Sequence, residues 1–356
     1  MTHNAVMRTL IRGSLILLCT LALGGCYYLH LATGETRLLL KRKPIRTVLA
    51  DPHASPALKA RLRLALRARA FASDHLDLPR NRSYTLYADI GRPFVMYNVF
   101  ATPALSLKPV EHCFPIAGCV AYQGFYEKHR AETAAAKLHR AGDDVDVEGV
   151  PAYSTLGHFA DPVLSSMDRW SDDELVGTIF HELAHQKLYL KGDTTFNESF
   201  ATFVQREGLR QWHAARHEAP PDPTADRRQK QFTQLMLATR KRLKKLYAGT
   251  LPDAQKLRRK HAAFVELRAR YRQLRDTQWD GYDGYDAWMA KPLNNARLLP
   301  FGLYDDQVPA FSALFAQSGS DWTRFFAAAK KLASLPKARR TAQLHALAVA
   351  KDHAQP

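Results

Sequence analysis

Long apolar segments are scarce in this sequence of 356 residues. The run from Leu15 to Leu23 is too short to cross a bilayer, because a spanning helix needs about 20 apolar residues. It follows the basic residues Arg8 and Arg12 and precedes two small glycines. These features exclude a spanning anchor at this point and predict a signal peptide over residues 1–25.

Acidic residues are scarce as well, because 34 Asp and Glu stand against 51 Lys and Arg. The resulting formal charge of +17 predicts attraction to an anionic partner, such as nucleic acid, phospholipid headgroups or lipopolysaccharide. An exported protein does not meet nucleic acid, so we expect no nucleic-acid partner. An anionic envelope surface remains as the expected partner of the basic residues.

Cysteines are few, and two of the four lie near the N-terminus. The stretch Leu23-Gly24-Gly25-Cys26 is similar to the lipobox of bacterial lipoproteins, where the chain is cleaved and the cysteine is lipidated. We therefore expect Cys26 to anchor the protein in the membrane of the bacterial cell envelope. Tyr27 in the next position favours the outer membrane, with the protein facing the periplasm. An ordinary signal peptide with a chance cysteine is the alternative.

The other two cysteines, Cys113 and Cys119, form an even pair in what would be an oxidising compartment. This pairing predicts a disulfide that closes a small loop. Two zinc-binding thiolates are the alternative, although only His112 lies beside them.

The most informative stretch runs from Ser171 to Ala201 and contains the sequence HELAH. On a helix, His181 and His185 lie one turn apart on one face, so both imidazoles can bind the same metal ion. Glu182 lies beside them and can reach a water molecule at the metal without binding the metal itself. This is the position that a general base requires.

Local signals place this motif on a helix. Ser171 and Glu174 form a capping box at its start, and Gly192 is a helix stop. Between them, apolar residues recur at helical spacing and supply a buried stripe beside the histidines. We therefore predict a helix that carries both imidazoles on one side.

A catalytic zinc ion usually has three protein ligands and one open position. Asp193 would begin a second helix after a short turn, and Glu198 lies in the first turns of that helix. At 1.5 Å of rise per residue, His185 lies about 9 Å before the turn and Glu198 about 6 Å after it. Glu198 is therefore the predicted third ligand. Asp193 and Asn197 are predicted to orient the ligands.

The sequence HELAH followed by NESFA resembles the gluzincin metallopeptidases, in which a glutamate on the next helix completes the metal site. A closer resemblance is to a family of bacterial lipoproteins described as predicted aminopeptidases. Both resemblances imply a zincin-like fold and a zinc-dependent peptidase. The segments that carry the closer resemblance are Arg80–Tyr87, Cys113–Tyr126, Ala152–Phe159, Phe180–Phe203 and Pro292–Phe311.

The apolar patterns predict an α+β fold that is mainly α, with a helix at residues 56–73 and a small β-sheet at 83–122. Residues 51–356 would form one zincin-like peptidase domain behind a membrane-proximal linker at 26–50. In gluzincin-like folds an edge strand binds the substrate backbone, and Tyr153–Gly157 is the expected equivalent.

Residues from about 206 to 277 combine a dense run of Lys and Arg with two apolar stripes at helical spacing. The stripes are separated by a turn at Gly249–Asp253. They predict a basic helical hairpin inserted into the domain. Its outer faces would either be solvated or contact an anionic membrane or envelope polymer.

The expected activity is peptide hydrolysis with Zn²⁺, in which Glu182 acts as the general base. Tyr304 is the first candidate to stabilise the oxyanion of the tetrahedral intermediate, and Tyr153 is the second. Resemblance favours an aminopeptidase acting on peptide substrates. A membrane-tethered endopeptidase of envelope proteins is one alternative. A non-hydrolytic, metal-binding lipoprotein scaffold is the other.

Overall fold

A computed structural model describes residues 27–114, 118–152, 154–303 and 307–352. Most of these residues are helical, and the strands form small sheets, which agrees with the predicted α+β, mainly α class. The predicted signal peptide, Cys26, Tyr153 and Tyr304 lie outside the described residues. Within the described residues, no helix has both the length and the apolar character needed to cross a bilayer.

The helices occupy most of the chain after residue 127. In chain order they are α1 (27–41), α2 (Ile45–Ala50), α3 (Pro56–Asp74), α4 (Lys128–Arg140), α5 (Asp172–Lys187), α6 (Thr194–Ala215), α7 (Pro223–Ala248), α8 (Asp253–Gln278), α9 (Asp286–Ala290), α10 (Val308–Gln317), α11 (Trp322–Ala333) and α12 (Lys337–Asp352).

Short strands form two three-stranded sheets and one hairpin. In the first sheet, β2 (Leu86–Ala88) lies between β1 (Lys43–Pro44) and β8 (Val163–Leu164). In the second, β3 (Met96–Pro103) pairs antiparallel with both β6 (Tyr122–Phe125) and β7 (Asp143–Val150). The hairpin consists of β4 (His112–Phe114) and β5 (Gly118–Val120).

The predicted disulfide is confirmed. Cys113 and Cys119 are directly paired across β4 and β5 and are joined by a disulfide bond. The bond cross-links the two strands of this hairpin, which lies between β3 and β6 in the chain.

The segment predicted as a membrane-proximal linker, residues 26–50, is folded from residue 27 onward. Helix α1 leads directly into β1 and α2, and Leu38 and Ile45 are buried in the main core. At its start, Tyr27 Oη donates a hydrogen bond of 2.9 Å to the Gly124 carbonyl of β6. Because apolar side chains of this segment pack on the core, it is part of the folded body and not an extended spacer.

The main core forms around α5 and α6, which pack against each other and against α3 and α10. Phe180 on α5 and Phe196 and Phe200 on α6 are fully buried. Phe311 of α10 packs edge-on against Phe196 and Phe200, and its ring centroid lies 5.2 Å and 5.6 Å from theirs. The packing of these buried side chains therefore fixes the positions of the polar side chains on the other faces of α5 and α6.

Helices α7 and α8 lie in the region predicted as a basic helical hairpin and pack against each other, with a second core of their own around Phe232, Met236 and Phe264. The hairpin begins at Pro223, whereas the prediction began near residue 206. Residues 206–215 continue α6 instead, because Leu209 and Trp212 are buried in the main core.

The sheet β6–β3–β7 joins the hairpin to the rest of the molecule. One face packs on α4 through Tyr97, Val99 and Phe125. On the other face, two carboxylates of β7 each form an ion pair with a basic side chain from later in the sequence. Asp144 pairs with Lys260 at 2.6 Å and Asp146 pairs with Arg297 at 2.8 Å. These buried ion pairs connect the sheet to α8 and to the segment after α9.

The edge strand predicted at Tyr153–Gly157 is not found in residues 154–157, which form a tight loop. Leu156 and Gly157 have φ values of 55° and 83°, which a strand cannot contain. The carboxylate of Asp161 holds this loop by accepting hydrogen bonds from Ser154 and from the backbone and side chain of Thr155. Those local bonds compete with strand pairing and prevail here.

Candidate functional site

Helix α5 begins with the capping box that the sequence predicted. Ser171 Oγ accepts from the backbone N–H of Glu174, and the Glu174 carboxylate accepts from the backbone N–H of Ser171. Leu175, Ile179 and Leu183 are buried on one side of the helix. Because those residues face the core, His181 and His185 are turned toward α6.

Three predicted ligands, His181, His185 and Glu198, lie together between α5 and α6. Their ligand atoms all lie within 4.8 Å of one another. The two imidazole Nε2 atoms are 3.1 Å apart. The Glu198 carboxylate lies 3.4 Å from His181 Nε2 and 3.6 Å from His185 Nε2. Two imidazoles and one carboxylate therefore converge on a single point.

The turn between α5 and α6 is held by two residues that were predicted to orient the ligands. Asn197 bonds both backbone groups of Leu190 at 2.8 Å. Asp193 caps α6 by accepting from Phe196 N–H and also forms a buried ion pair with Arg340. No hydrogen bond to either histidine is among these contacts. Asn197 and Asp193 therefore place Glu198 by bracing the turn, and they do not contact the imidazoles.

The residue that does orient an imidazole is Gln205, which the sequence reasoning missed. Its Oε1 lies 3.1 Å from Nδ1 of His181, which leaves Nε2 directed at the convergence point. Gln205 lies seven residues after Glu198 on α6, so two helical turns place both side chains on one face. That spacing was the available signal. Nδ1 of His185 is buried without a hydrogen-bond partner among the described residues.

If the cluster binds zinc, as the sequence predicts, Gln205→Ala should weaken that binding by about 10- to 100-fold, because partners that orient a ligating histidine have effects of that size. The measurement is a competitive zinc titration against a chelating dye. Gln234→Ala, which changes an exposed glutamine on α7, is the matched control. Equal zinc affinity in the two variants would contradict the orienting role of Gln205.

The protonation of the cluster follows from burial and from its own charges. Burial, together with the positive charge of His181, lowers the pKa of His185 to about 4. Burial also opposes protonation of His181, but the hydrogen bond to Glu198 and the charges of Glu182 and Glu198 raise its pKa overall. Near neutral pH the His185 imidazole is therefore neutral, as metal binding requires.

Glu182 lies on α5 and is partly buried. Burial raises its pKa, and the negative charges of Glu198 and Asp161 add to this effect, while His181 opposes it. A carboxylate whose pKa is raised toward neutrality is suited to accept a proton.

Two tyrosines that the sequence reasoning did not select also lie at the site. The ring centroid of Tyr189 is 6.0 Å from that of His185. Tyr122, on β6, has a pKa raised by partial burial and by the negative charges of Tyr189 and Glu198.

Two asparagines that follow α9, Asn294 and Asn295, have structural contacts away from the cluster. Asn295 is fully buried and bonds Asp144, Tyr247 and the carbonyl groups of Ala104 and Ser106. Asn294 donates to the Val145 carbonyl oxygen. These contacts bind the segment after α9 to the sheet. Tyr304 and Tyr153, the predicted oxyanion donors, lie outside the described residues.

Comparison with known proteins agrees with the resemblance seen in the motifs. No curated protein and no solved structure matches the chain. A family described as "Putative aminopeptidase" matches residues 26–344. Because the match covers most of the chain, the protein belongs to this putative aminopeptidase family.

Proposed function

We propose that the protein is a zinc-dependent peptidase that hydrolyses peptide bonds with the help of Glu182. The observation that supports this most strongly is the convergence of His181, His185 and Glu198 beside that glutamate. The family description supports an aminopeptidase.

The donor set fits a zinc ion. Zinc binds histidine nitrogen and carboxylate oxygen at about 2.0–2.2 Å, usually with tetrahedral geometry. Tetrahedral ligands at those distances lie about 3.3–3.6 Å from one another. The separations of 3.1, 3.4 and 3.6 Å between the three groups are close to this range. Two histidines and one glutamate also leave a fourth position for water, as catalytic sites do.

When bound, zinc would lower the pKa of a water ligand toward neutrality and polarise the scissile carbonyl. Glu182 accepts the proton of the attacking water and returns it to the leaving amine. His181, His185 and Glu198 hold the metal, and Gln205 keeps His181 in the orientation that exposes Nε2. Tyr122 and Tyr189 lie at the same site, where a phenolic O–H could donate to the developing oxyanion.

Exopeptidase activity needs recognition of the free α-amino group of the substrate, for which an acidic side chain is the usual partner. Glu148 on β7 carries no ion pair among the described residues, unlike Asp144 and Asp146 on the same strand face. Burial and the neighbouring Asp146 raise its pKa. An unpaired carboxylate on the face that carries Tyr122 favours an aminopeptidase over an endopeptidase.

The test is to incubate zinc-loaded protein with a mixed peptide library and map the cleavage products by mass spectrometry. Loss of single N-terminal residues is the expected result. Internal cleavage would support the endopeptidase alternative. Zinc binding without cleavage of any peptide would support the non-hydrolytic scaffold and contradict the proposed activity.

We also propose that the protein is lipid-anchored through Cys26 at the periplasmic side of the outer membrane. Residues 27–41, which directly follow Cys26, form helix α1, so the body would lie close to the bilayer. Tyr28 and Leu29 are 38% and 68% exposed at this end of α1. Exposed apolar side chains next to a lipid anchor are suited to the membrane interface.

The closed end of the α7–α8 hairpin is the proposed contact with the anionic envelope surface. Lys244 and Lys245 in α7 and Arg258 and Arg259 in α8 are exposed, and no ion pair involves them among the described residues. All four lie within about 9 Å of the turn, given 1.5 Å of rise per residue. Such a group of cations is attracted to lipid phosphate.

Replacing these four residues by Gln should weaken binding to vesicles of anionic phosphatidylglycerol by roughly 100-fold or more, since each cation contributes about 1 kcal/mol. Co-sedimentation of protein beginning at Tyr27 gives the measurement. The control replaces Lys330, Lys331, Lys337 and Arg339, four exposed cations near the C-terminus, and so removes the same charge. Equal loss of binding in both variants would show that net charge, and not the hairpin, is responsible.

A further inference from the structure

One buried ion pair connects the turn between α5 and α6 to the last helix of the chain. Arg340 of α12 is 5% exposed, and Asp193 is 8% exposed. Nε and Nη2 of Arg340 donate to Oδ2 of Asp193 at 3.2 and 2.5 Å. Among the described residues, Asp193 forms no other ion pair. Burying two charges is costly unless they are paired in good geometry and their remaining hydrogen-bonding groups are satisfied.

The remaining contacts of Arg340 lie at the junction of α11 and α12. Its Nη1 donates to the Leu335 carbonyl at 2.7 Å and to the Ala333 carbonyl at 3.4 Å. The guanidinium also lies 5.7 Å from the ring centroid of Phe196, which is within the range of a cation–π contact. Arg340 therefore joins three elements, because it contacts the end of α11, lies on α12 and binds the start of α6.

Asp193 uses its two carboxylate oxygens for two different elements. Oδ1 accepts from the backbone N–H of Phe196 in the first turn of α6, while Oδ2 accepts from Arg340. The Asp193 carbonyl accepts from the backbone N–H of Asn197 at 3.1 Å. The ion pair therefore fixes the residue that caps α6. Because Glu198 lies five residues later on the same helix, any displacement of the helix start also displaces its carboxylate.

Such a displacement matters because the other two ligands lie on a different helix. His181 and His185 belong to α5, and the Glu198 carboxylate lies 3.4 and 3.6 Å from their Nε2 atoms. Metal–ligand distances agree to within about 0.2 Å between sites of one kind. A small shift of the start of α6 relative to α5 therefore weakens the contribution of Glu198 to a bound ion.

Helix α12 is a firm support for this ion pair, because it is packed on the main core. It contacts α10 and α11, and Leu344 is only 2% exposed. Helix α10 in turn packs against α6. The position of Arg340 is therefore set by core packing and not by the ion pair alone.

We propose that Arg340 is a positioning residue that acts through Asp193 and holds the start of α6 where Glu198 reaches the metal. This inference rests on the proposed function, in which Glu198 is a zinc ligand. Helix α12 then supports the metal centre, although none of its described residues is among the three ligands. Coupling between two events is reciprocal, so zinc binding also strengthens the docking of α12.

The test is a competitive zinc titration of Arg340→Gln and Arg340→Lys, with Arg339→Gln as the matched control. Arg339 is an exposed neighbour on the same helix, and no ion pair involves it among the described residues. Arg340→Gln should weaken zinc binding by about 10- to 100-fold, the size usual for groups that support metal ligands. Arg340→Lys keeps a cation for Asp193 and should restore most of the affinity. Arg339→Gln should bind zinc as the wild type does.

A double-mutant cycle with Asp193→Asn shows whether Arg340 acts through Asp193. Asn caps a helix about as well as Asp, so α6 keeps its cap and loses only the charge. The single variant should weaken zinc binding, and adding Arg340→Gln should weaken it no further. Additive losses, the behaviour of independent sites, would overturn the proposal. Wild-type affinity in Asp193→Asn would overturn it too, even if Arg340→Gln failed to fold.

Two further readouts do not depend on activity. Zinc should slow hydrogen exchange of the α12 amides in the wild type and in Arg339→Gln, but not in Arg340→Gln. In crystals of metal-free Arg340→Gln, the Glu198 carboxylate should lie farther from His181 Nε2 than the 3.4 Å of the wild type. An unmoved Glu198 would overturn the proposal. If the wild type binds no zinc, the proposed function fails, and the position of Glu198 in the metal-free crystals still decides this inference.

Discussion

Replacing Glu182 by Gln is expected to lower kcat for peptide hydrolysis by about 100- to 10,000-fold, the usual contribution of a general base. The amide keeps the size of the side chain, but it cannot accept a proton at neutral pH. The metal ligands His181, His185 and Glu198 are untouched, so the zinc content should stay at that of the wild type. Steady-state kinetics and elemental analysis of the same preparation test both halves of the prediction.

The matched control is Glu132→Gln, which makes the same chemical change on an exposed face of α4. Its kcat should equal that of the wild type, because the ion pair of Glu132 with Lys128 is exposed and contributes little. Full activity in Glu182→Gln would exclude Glu182 as the base and would favour another proton acceptor.

Replacing Glu198 by Ala is expected to remove most of the bound zinc and, with it, the stabilisation that zinc provides. At a free zinc concentration about 100 times the dissociation constant, binding to the folded state alone adds about 2.7 kcal/mol to the free energy of unfolding. The variant should lose this gain, because only two imidazoles remain to hold the ion. Urea unfolding with and without zinc, together with zinc content, measures the effect.

Glu207→Ala is the control for this second prediction, because it removes a carboxylate from the same helix. Glu207 pairs with Arg210 and lies outside the cluster. Its zinc-dependent gain in stability should match that of the wild type. If Glu198→Ala kept its full zinc content, Glu198 would not be a ligand, and another acid would have to complete the site.

The two predictions separate the proposed peptidase from the scaffold alternative. In a scaffold with a structural metal, Glu198→Ala would release the ion, but Glu182→Gln would change neither the zinc content nor peptide hydrolysis. In a peptidase, Glu182→Gln and Glu198→Ala both lower activity, and of these two only Glu198→Ala loses zinc. The family match does not by itself make this distinction, since it carries a name and not a mechanism.

The helices of the site could be predicted because their signals are local. The capping box of Ser171 and Glu174, the apolar stripe of α5 and the one-turn spacing of the histidines all lie within a few residues of one another. The convergence of Glu198 on the histidines was also predictable, because a short turn leaves two joined helices little choice of arrangement.

The loop at 154–157 and the first helix show where local reasoning failed. The resemblance to gluzincin-like folds implied an edge strand at Tyr153–Gly157, but Asp161, several residues later, accepts hydrogen bonds from the side chains of Ser154 and Thr155. Residues 26–50 were expected to form a membrane-proximal linker. In the structure, their apolar side chains find partners on β6 and in the main core, far along the chain.

The sequence alone predicted that His181, His185 and Glu198 lie together, and it also predicted the helix that carries the histidines, the disulfide and the basic character of the hairpin. Each of these depends on residues a few positions apart in the chain. Helix geometry or a covalent bond fixes the relative positions of such residues. Only the tertiary structure decided what surrounds the ligands. Gln205 contacts His181 and Gln186 contacts Asp161 because packing of the core brings separate segments together. No short-range pattern in the chain encodes those contacts.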